Sequence, residues 1–241
     1  KVFIRSGIRY DYLLADKKQE FLDVLCRYHI SGLLKIAPEH IAPPVLKRMG
    51  KPGKEVYLKF MRAYAKKNKE LGLPQYLVPY FISSHPGCTL NNAIELAEFL
   101  RDIKHQPEQV QDFIPTPGSA ATAMYYSGVD PTTGETIFVA RNPHDKAMQR
   151  ALMQYRAPRN RQLVLDALQR AGRTDLIGTE PKCLVAPERH GGQRAGGQRS
   201  ASASRSGGAR ASAGGASGRA DGRPGRAAGK SQAAPAKKRR S

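Results

Sequence analysis

The sequence predicts an α/β protein built on a parallel sheet. Residues 3–11 (FIRSGIRYD), 33–40 (LLKIAPEH) and 77–89 (LVPYFISSHPGCT) each run an apolar, strand-like stretch into a polar turn, and a helical pattern follows. Strands joined through helices pair in parallel, and such sheets bind ligands at the carboxyl ends of their strands. The three polar turns therefore predict one functional rim.

In chain order, residues 1–5 read as a buried strand. Asp16 is a candidate N-cap for a helix over 17–29, with Phe21, Leu22, Leu25 and Tyr28 at helical spacing as its buried stripe. Residues 33–37 form a second strand, ended by Pro38. A short helix is expected over 43–49, broken by Gly50 and Lys51-Pro52-Gly53. Residues 54–71 predict a longer amphipathic helix with Val56, Phe60, Ala63, Tyr64 and Lys67 on or beside one face, stopped by Gly72. The third strand, 75–82, is rich in aromatic and β-branched residues. Thr89 caps a helix to about residue 104 with Leu90, Ala93, Ile94, Ala97 and Leu100 inward. Residues 109–114 predict a fourth strand, and right-handed crossovers would place all four strands in one parallel sheet.

The rhythm then changes. Pro131-Thr132-Thr133-Gly134 between Tyr125-Tyr126 and Ile137-Phe138-Val139 predicts a small hairpin. Asn142, followed by Pro143, caps a helix to about residue 156, and Asn160 caps another to residue 171, closed by Gly172. From Ala186 onward the chain is Gly, Ser, Ala and Arg without periodicity or aromatics, a composition expected to remain disordered. The expected organisation is strands and helices of one α/β domain over 1–118, a mixed extension over 119–185 and a basic tail over 186–241.

The formal net charge of the 241 residues is +20, and thirteen Lys or Arg against two acids place +11 of it in that tail. The tail suits salt-dependent, sequence-independent phosphate contacts, and equally a solvated extension with no dedicated role. Three distant cysteines, Cys26, Cys88 and Cys183, argue against a disulfide framework and for a reducing, cytoplasmic setting. No apolar run is long enough to span a bilayer. Residue 1 is Lys at the start of a strand, so the chain is expected to be part of a longer polypeptide.

At the rim, Ser6, Arg9 and Asp11 follow the first strand. Lys35 lies within the second, with Glu39 and His40 after it; Ser83, Ser84 and His85 follow the third, and Thr116 the fourth. Cations, carboxylates and hydroxyls at one rim suit an amino-acid-like or ribose-bearing ligand, while helix capping and turn formation compete as the role of each residue. Pro86-Gly87 before the Thr89 cap either presents backbone N–H groups to a ligand or serves the turn alone. No CxxC occurs and neither His40 nor His85 has a partner at metal-ligand spacing. Cys26 reads as a core residue; Cys88 is nearer the rim, and an inert, partly buried thiol is favoured over a reactive one.

These segments also carry a resemblance. KVFIRSGIRYDYLL, LLKIAPEH with VLKRMGKPG, QYLVPYFISSHPGCT, QVQDFIPTPG and MYYSGVDP resemble the C-terminal half of YgiQ-type radical S-adenosylmethionine proteins, over residues 1 to about 185. VLKRMGK, FISSHPGCT and IPTPGSAA are more distantly similar to the radical methylthiotransferases that modify tRNA. The resemblance implies the later strands of a partial (β/α)6 barrel that holds a 4Fe–4S cluster and S-adenosylmethionine at its strand ends. The family's CxxxCxxC cluster loop is absent here, so its ligands are expected upstream of Lys1. By the same resemblance Ser6 and Arg9 would contact the methionyl carboxylate or ribose, Lys35 and Glu39 the polar methionyl end, and Ser83 and His85 the adenine. Two other functions compete: an RNA-associated protein binding through barrel face and tail, and a non-catalytic incomplete fragment.

Overall fold

The structure, a computed structural model, describes residues 2–18 and 20–187. Residues 188–241, with nearly all of the tail expected to be disordered and to contact phosphates, lie outside the described residues.

The sheet is parallel, with three strands in the order β1 (Leu33–Glu39), β2 (Tyr76–Ser83) and β3 (Gln111–Asp112). Leu33 pairs with Tyr76 and Ile36 with Pro79, and a register shift then aligns Glu39 with Phe81. The expected first strand is reduced to one parallel bridge, Ile8 to Ile36, plus a bond from Ile4 N–H to the His29 carbonyl at 2.9 Å. Val2 and Phe3 are exposed and Ile4 and Ile8 pack only partly against the core, short of the two-faced burial of a parallel strand. A helix that sequence periodicity did not show, α1 (Tyr10–Ala15), follows at once and buries Tyr10 and Leu13.

The Asp16 carboxylate accepts from Lys18 N–H at 3.1 Å and Phe21 N–H at 3.2 Å, but the next helix starts at Glu20 rather than directly after Asp16. That helix, α2 (Glu20–Val24), widens into a π-turn over Leu25–His29. Gln75 Nε2 donates to the Cys26 carbonyl at 2.7 Å, satisfying a backbone group within the wide turn. The buried stripe is Leu22, Leu25 and Cys26, and the expected Phe21 and Tyr28 lie outside it, both exposed. Residues 22, 25 and 26 share a helical face, which residues 21 and 28 only flank.

Helices α3 (Pro43–Arg48) and α4 (Lys54–Leu71) fall where their patterns put them. Gly72 closes α4 at φ +65°, returning its N–H to Asn68 and Lys69. Helix α5 (Leu90–Asp102) starts with a full capping box: Thr89 accepts from Asn92 N–H, and Asn92 accepts from Thr89 N–H. β3 is shorter than expected, because it lies at the sheet edge and Ile114 beyond it is exposed.

The hairpin is corrected. Tyr125 and Tyr126 belong to a helix, α6 (Ala120–Ser127), capped by Ser119 and closed by Gly128 at φ +73°. A serine cap before an Ala-rich run outweighs the β-preference of two tyrosines. Of the hairpin one antiparallel bridge remains, Val129 to Thr136. Helices α7 (Pro143–Met153) and α8 (Arg161–Arg170) follow, with short 3-10 turns at Pro158–Asn160 and Thr174–Leu176; Asn142 caps α7 through His144 N–H at 2.8 Å, whereas Asn160, the expected cap of α8, makes no side-chain capping bond.

Two apolar clusters meet at α5. Leu96 and Leu100 join Leu34, Ile36, Tyr57, Phe60 and Phe81 beneath the sheet. Ala93, Ile94 and Ala97 pack with Met148, Leu152, Val164 and Leu168 of α7 and α8. The C-terminal helices are thereby fixed against the strand ends. Among the described residues no helix is long and apolar enough to cross a membrane.

Candidate functional site

The strand ends are conformationally unusual. Glu39, which ends β1, sits at φ +63°, and Ser84, just past β2, at φ +62°. Left-handed backbone costs a non-glycine residue roughly 1–3 kcal/mol and persists only where the surroundings enforce it. Both residues lie at the carboxyl ends of neighbouring parallel strands, where the sequence placed its rim. The Glu39 carboxylate pairs with Lys51 Nζ at 2.9 Å, and Lys51 also donates to the Ala37 carbonyl at 3.1 Å.

At the end of β2, buried Ser83 donates its hydroxyl to Asp112 of β3, whose second oxygen takes Arg150 of α7. Ser83 O also accepts from Phe113 N–H at 2.8 Å. Ser84 is 1% exposed; its N–H donates to Gln149 Oε1 at 3.0 Å, and its Oγ has no partner among the described residues. Gln149, equally buried, also donates through Nε2 to the Cys88 carbonyl at 2.9 Å. One α7 side chain therefore spans the turn from residue 84 to 88. The turn's other face meets Arg48, which pairs with Asp130 at 3.5 Å and Glu135 at 3.7 Å.

His85 packs its ring edge-on to Phe113, with centroids 5.2 Å apart, and donates from Nδ1 to the Pro86 carbonyl at 2.8 Å. Burial holds its pKa below the ordinary histidine value. His40 accepts at Nδ1 from Ala42 N–H at 3.0 Å, so its Nε2 carries the proton and faces Cys88 Sγ at 3.4 Å. Burial pushes His40 down to about 3 and the Cys88 thiol up to about 12. A nucleophilic pair needs the opposite, a thiolate beside an imidazolium. This pair is neutral on both sides. Iodoacetamide at neutral pH is therefore expected to label Cys183 in the folded chain and to reach Cys26 and Cys88 only in denaturant; rapid native labelling of Cys88 would contradict this.

Of the residues chosen from sequence, Glu39, Ser83 and His85 come together around the ends of β1 and β2. Lys35 is exposed and approaches the Tyr80 ring at 5.9 Å. Ser6 and Arg9 lie exposed on the segment beside β1, where Arg9 makes a two-point contact with Asp11 at 2.9 and 2.6 Å and covers the Tyr12 ring at 4.5 Å. The Asp11 hydrogen bond raises the Arg9 pKa and lowers that of Asp11. Lys51, Asp112, Gln149 and Arg150 were absent from the sequence-based set. Gln149 and Arg150 act 65 and 38 residues away in sequence, so no local spacing reveals them.

A cleft of about 810 Å³ adjoins the rim, lined by Glu39, Tyr80, Ile82, Gln111, Arg150 and Arg159 among others. Among the described residues no group of three His, Cys, Asp or Glu is placed to hold a metal ion.

Comparison with known proteins finds close relatives of undefined activity. The UPF0313 protein of Clostridium perfringens strain 13 is 51% identical over 207 residues, covering 83% of this chain and 31% of the relative. That of Clostridium botulinum strain 657 is 54% identical over 185 residues, 77% of this chain and 29% of the relative. The chain thus spans about a third of the length of the curated relatives it matches. UPF0313 is the YgiQ-type family to which the sequence motifs point. A family profile described as "Domain of unknown function (DUF3362)" matches residues 108–241. With more than half of its length so matched, the chain belongs to the DUF3362 family.

Proposed function

We propose that the chain supplies the later strands of a radical S-adenosylmethionine enzyme and forms one side of the S-adenosylmethionine pocket. The observation that carries this is the pair of left-handed residues, Glu39 and Ser84, at the ends of adjacent parallel strands. Strain of this kind concentrates where backbone is shaped for a ligand.

The residues present fit the cofactor in part. Its methionyl end is a zwitterion, and the Glu39–Lys51 pair offers a carboxylate to the ammonium and a cation to the carboxylate. Ser84 Oγ is a buried rim hydroxyl with no hydrogen-bond partner among the described residues. Lys35, of the same strand as Glu39, with Ser6 and Arg9 on the segment beside it, would extend this polar lining, and Ser83 and His85 would contribute from the end of β2. The described residues do not fit a 4Fe–4S cluster, whose ligands would come from outside them. When bound, S-adenosylmethionine supplies the radical chemistry, and this chain's part is to bind and orient it.

The test is calorimetric titration of S-adenosylmethionine into a protein of the relatives' full length. Glu39→Gln removes one charge-assisted contact and is expected to weaken binding about tenfold or more, since such contacts contribute roughly 1.5–3 kcal/mol. Unchanged affinity would overturn the assignment.

A further inference from the structure

We propose that α7 is a latch that holds the end of β2 in its ligand-ready geometry, with Gln149 as the positioning residue. The proposal rests on the reading of this rim as a ligand site. It gives the DUF3362 region, within which α7 lies, a concrete role there.

The geometry of Gln149 is specific. Its carbonyl oxygen takes the N–H of Ser84 and its amide nitrogen donates to the carbonyl of Cys88, so both ends of the turn are tied to one side chain. Apart from Gln149, among the described residues the turn is held by bonds from Cys88 N–H to the His85 carbonyl, from His85 Nδ1 to the Pro86 carbonyl and from Gly87 N–H to the Phe138 carbonyl at 2.7 Å. None of these fixes Ser84, which remains left-handed with an unpaired hydroxyl. An unsupported residue of this kind would relax to ordinary extended backbone. Gln149 supplies the missing constraint.

The residue type is informative too. Gln149 is buried among Met148, Ala151, Leu152 and Met153 on a helix whose inner face is otherwise apolar. A core amide is tolerated only when its hydrogen bonds are made, and here both its oxygen and its nitrogen find backbone partners. The next residue, Arg150, reaches Asp112, the acceptor of the Ser83 hydroxyl. Two consecutive side chains of α7 thus hold two consecutive residues of the rim.

Amide hydrogen exchange on the intact chain tests the latch without any ligand. Gln149→Met keeps the volume and removes both bonds; Leu152→Ala, on the same helix and in the same core, is the control for lost stability. Exchange at the Ser84 amide is expected to rise at least about tenfold in Gln149→Met beyond its rise in Leu152→Ala, once both are referred to their global stabilities. Arg150→Ala, whose side chain is partly exposed and which leaves the core intact, is expected to speed exchange at Phe113, the amide bonded to Ser83 O. In a protein of the relatives' full length, Gln149→Met is expected to weaken S-adenosylmethionine about tenfold, and Leu152→Ala to leave affinity per folded molecule unchanged. Equal Ser84 exchange in the Met and Ala variants would overturn the latch. A wild-type protein that binds no S-adenosylmethionine would overturn the ligand reading while the exchange result still decides the latch.

Discussion

Replacing Gly87 by alanine is expected to destabilise the chain by about 2–5 kcal/mol, combining a left-handed backbone penalty of roughly 1–2 kcal/mol with overpacking of roughly 1–3 kcal/mol. Gly87 sits at φ +82°, and a Cβ added there would lie 2.5 Å from Arg48 Cδ and 3.0 Å from Arg48 Nε. Arg48 is a flexible side chain, but it is not free to move. It is mostly buried and held by the Pro44 carbonyl, Asp130 and Glu135. Displacing it would strain its contact with Asp130, itself 7% exposed, and leave a buried charge poorly paired. Gly72→Ala separates the two costs. Gly72 also has positive φ, +65°, but an added methyl there would meet nothing within 4 Å, so its loss should be close to 1 kcal/mol, the backbone cost alone. Urea denaturation of both variants measures the difference. Equal losses would show that Arg48 yields at no cost. Because Gly87 lies between His85 and the Thr89 cap, its variant is also expected to disturb the rim while Gly72→Ala leaves it intact.

The pattern of success in reading the sequence follows from where each element's stabilising partners lie. α4 carries its own signals: an unbroken helical stripe, buried Tyr57, Phe60 and Tyr64, and a glycine stop, and its observed ends match the expected ones. α5 likewise has its cap beside it in sequence. Strands have no such autonomy. β1 and β2 pair with each other over several residues and were legible; the segment at residues 2–8 and β3 depend on edges and keep little more than single bridges. At α6 the local signals conflicted, and the Ser119 cap with Gly128 at the far end prevailed over the tyrosine pair. The site divides the same way. The positions of Glu39, Ser83 and His85 at the ends of β1 and β2 were legible, because a strand's end is visible in sequence. The groups that fix them were not, because Lys51 comes from the loop after α3, Asp112 from another strand and Gln149 and Arg150 from a helix beyond the change of rhythm. Chemistry at the rim is local in sequence, and its support is not.

Phe60→Ala is expected to have the largest effect on folding, a loss of about 3–5 kcal/mol, the range for truncating a fully buried phenylalanine. Phe60 is wholly inaccessible and central to the cluster beneath the sheet. Its ring lies 5.7 Å from that of Tyr10 and 6.0 Å from that of Tyr64, while Tyr10 also meets Tyr57 at 5.9 Å. Aromatic pairs at such distances contribute roughly 0.5–1.5 kcal/mol beyond the area they bury, so truncation removes both transfer energy and two ring contacts. Refilling is impeded, because the neighbours on α1 and α4 are rings that cannot bend into the space as methionine would. A domain of this size is stable by only about 5–15 kcal/mol, so the variant would lose a large fraction of its margin. Phe60→Leu, which retains most of the volume, should lose under about 1.5 kcal/mol. Phe21→Ala, at a 54% exposed position that the sequence had placed inside, should change stability by no more than about 0.5 kcal/mol. The consequence reaches the rim through Tyr57, one turn away on α4, whose ring meets Phe81 of β2 at 6.4 Å, two residues before Ser83. Urea midpoints for the three variants order the effects. A loss in Phe60→Ala no larger than in Phe21→Ala would mean that the packing beneath the sheet does not hold the strand ends in place.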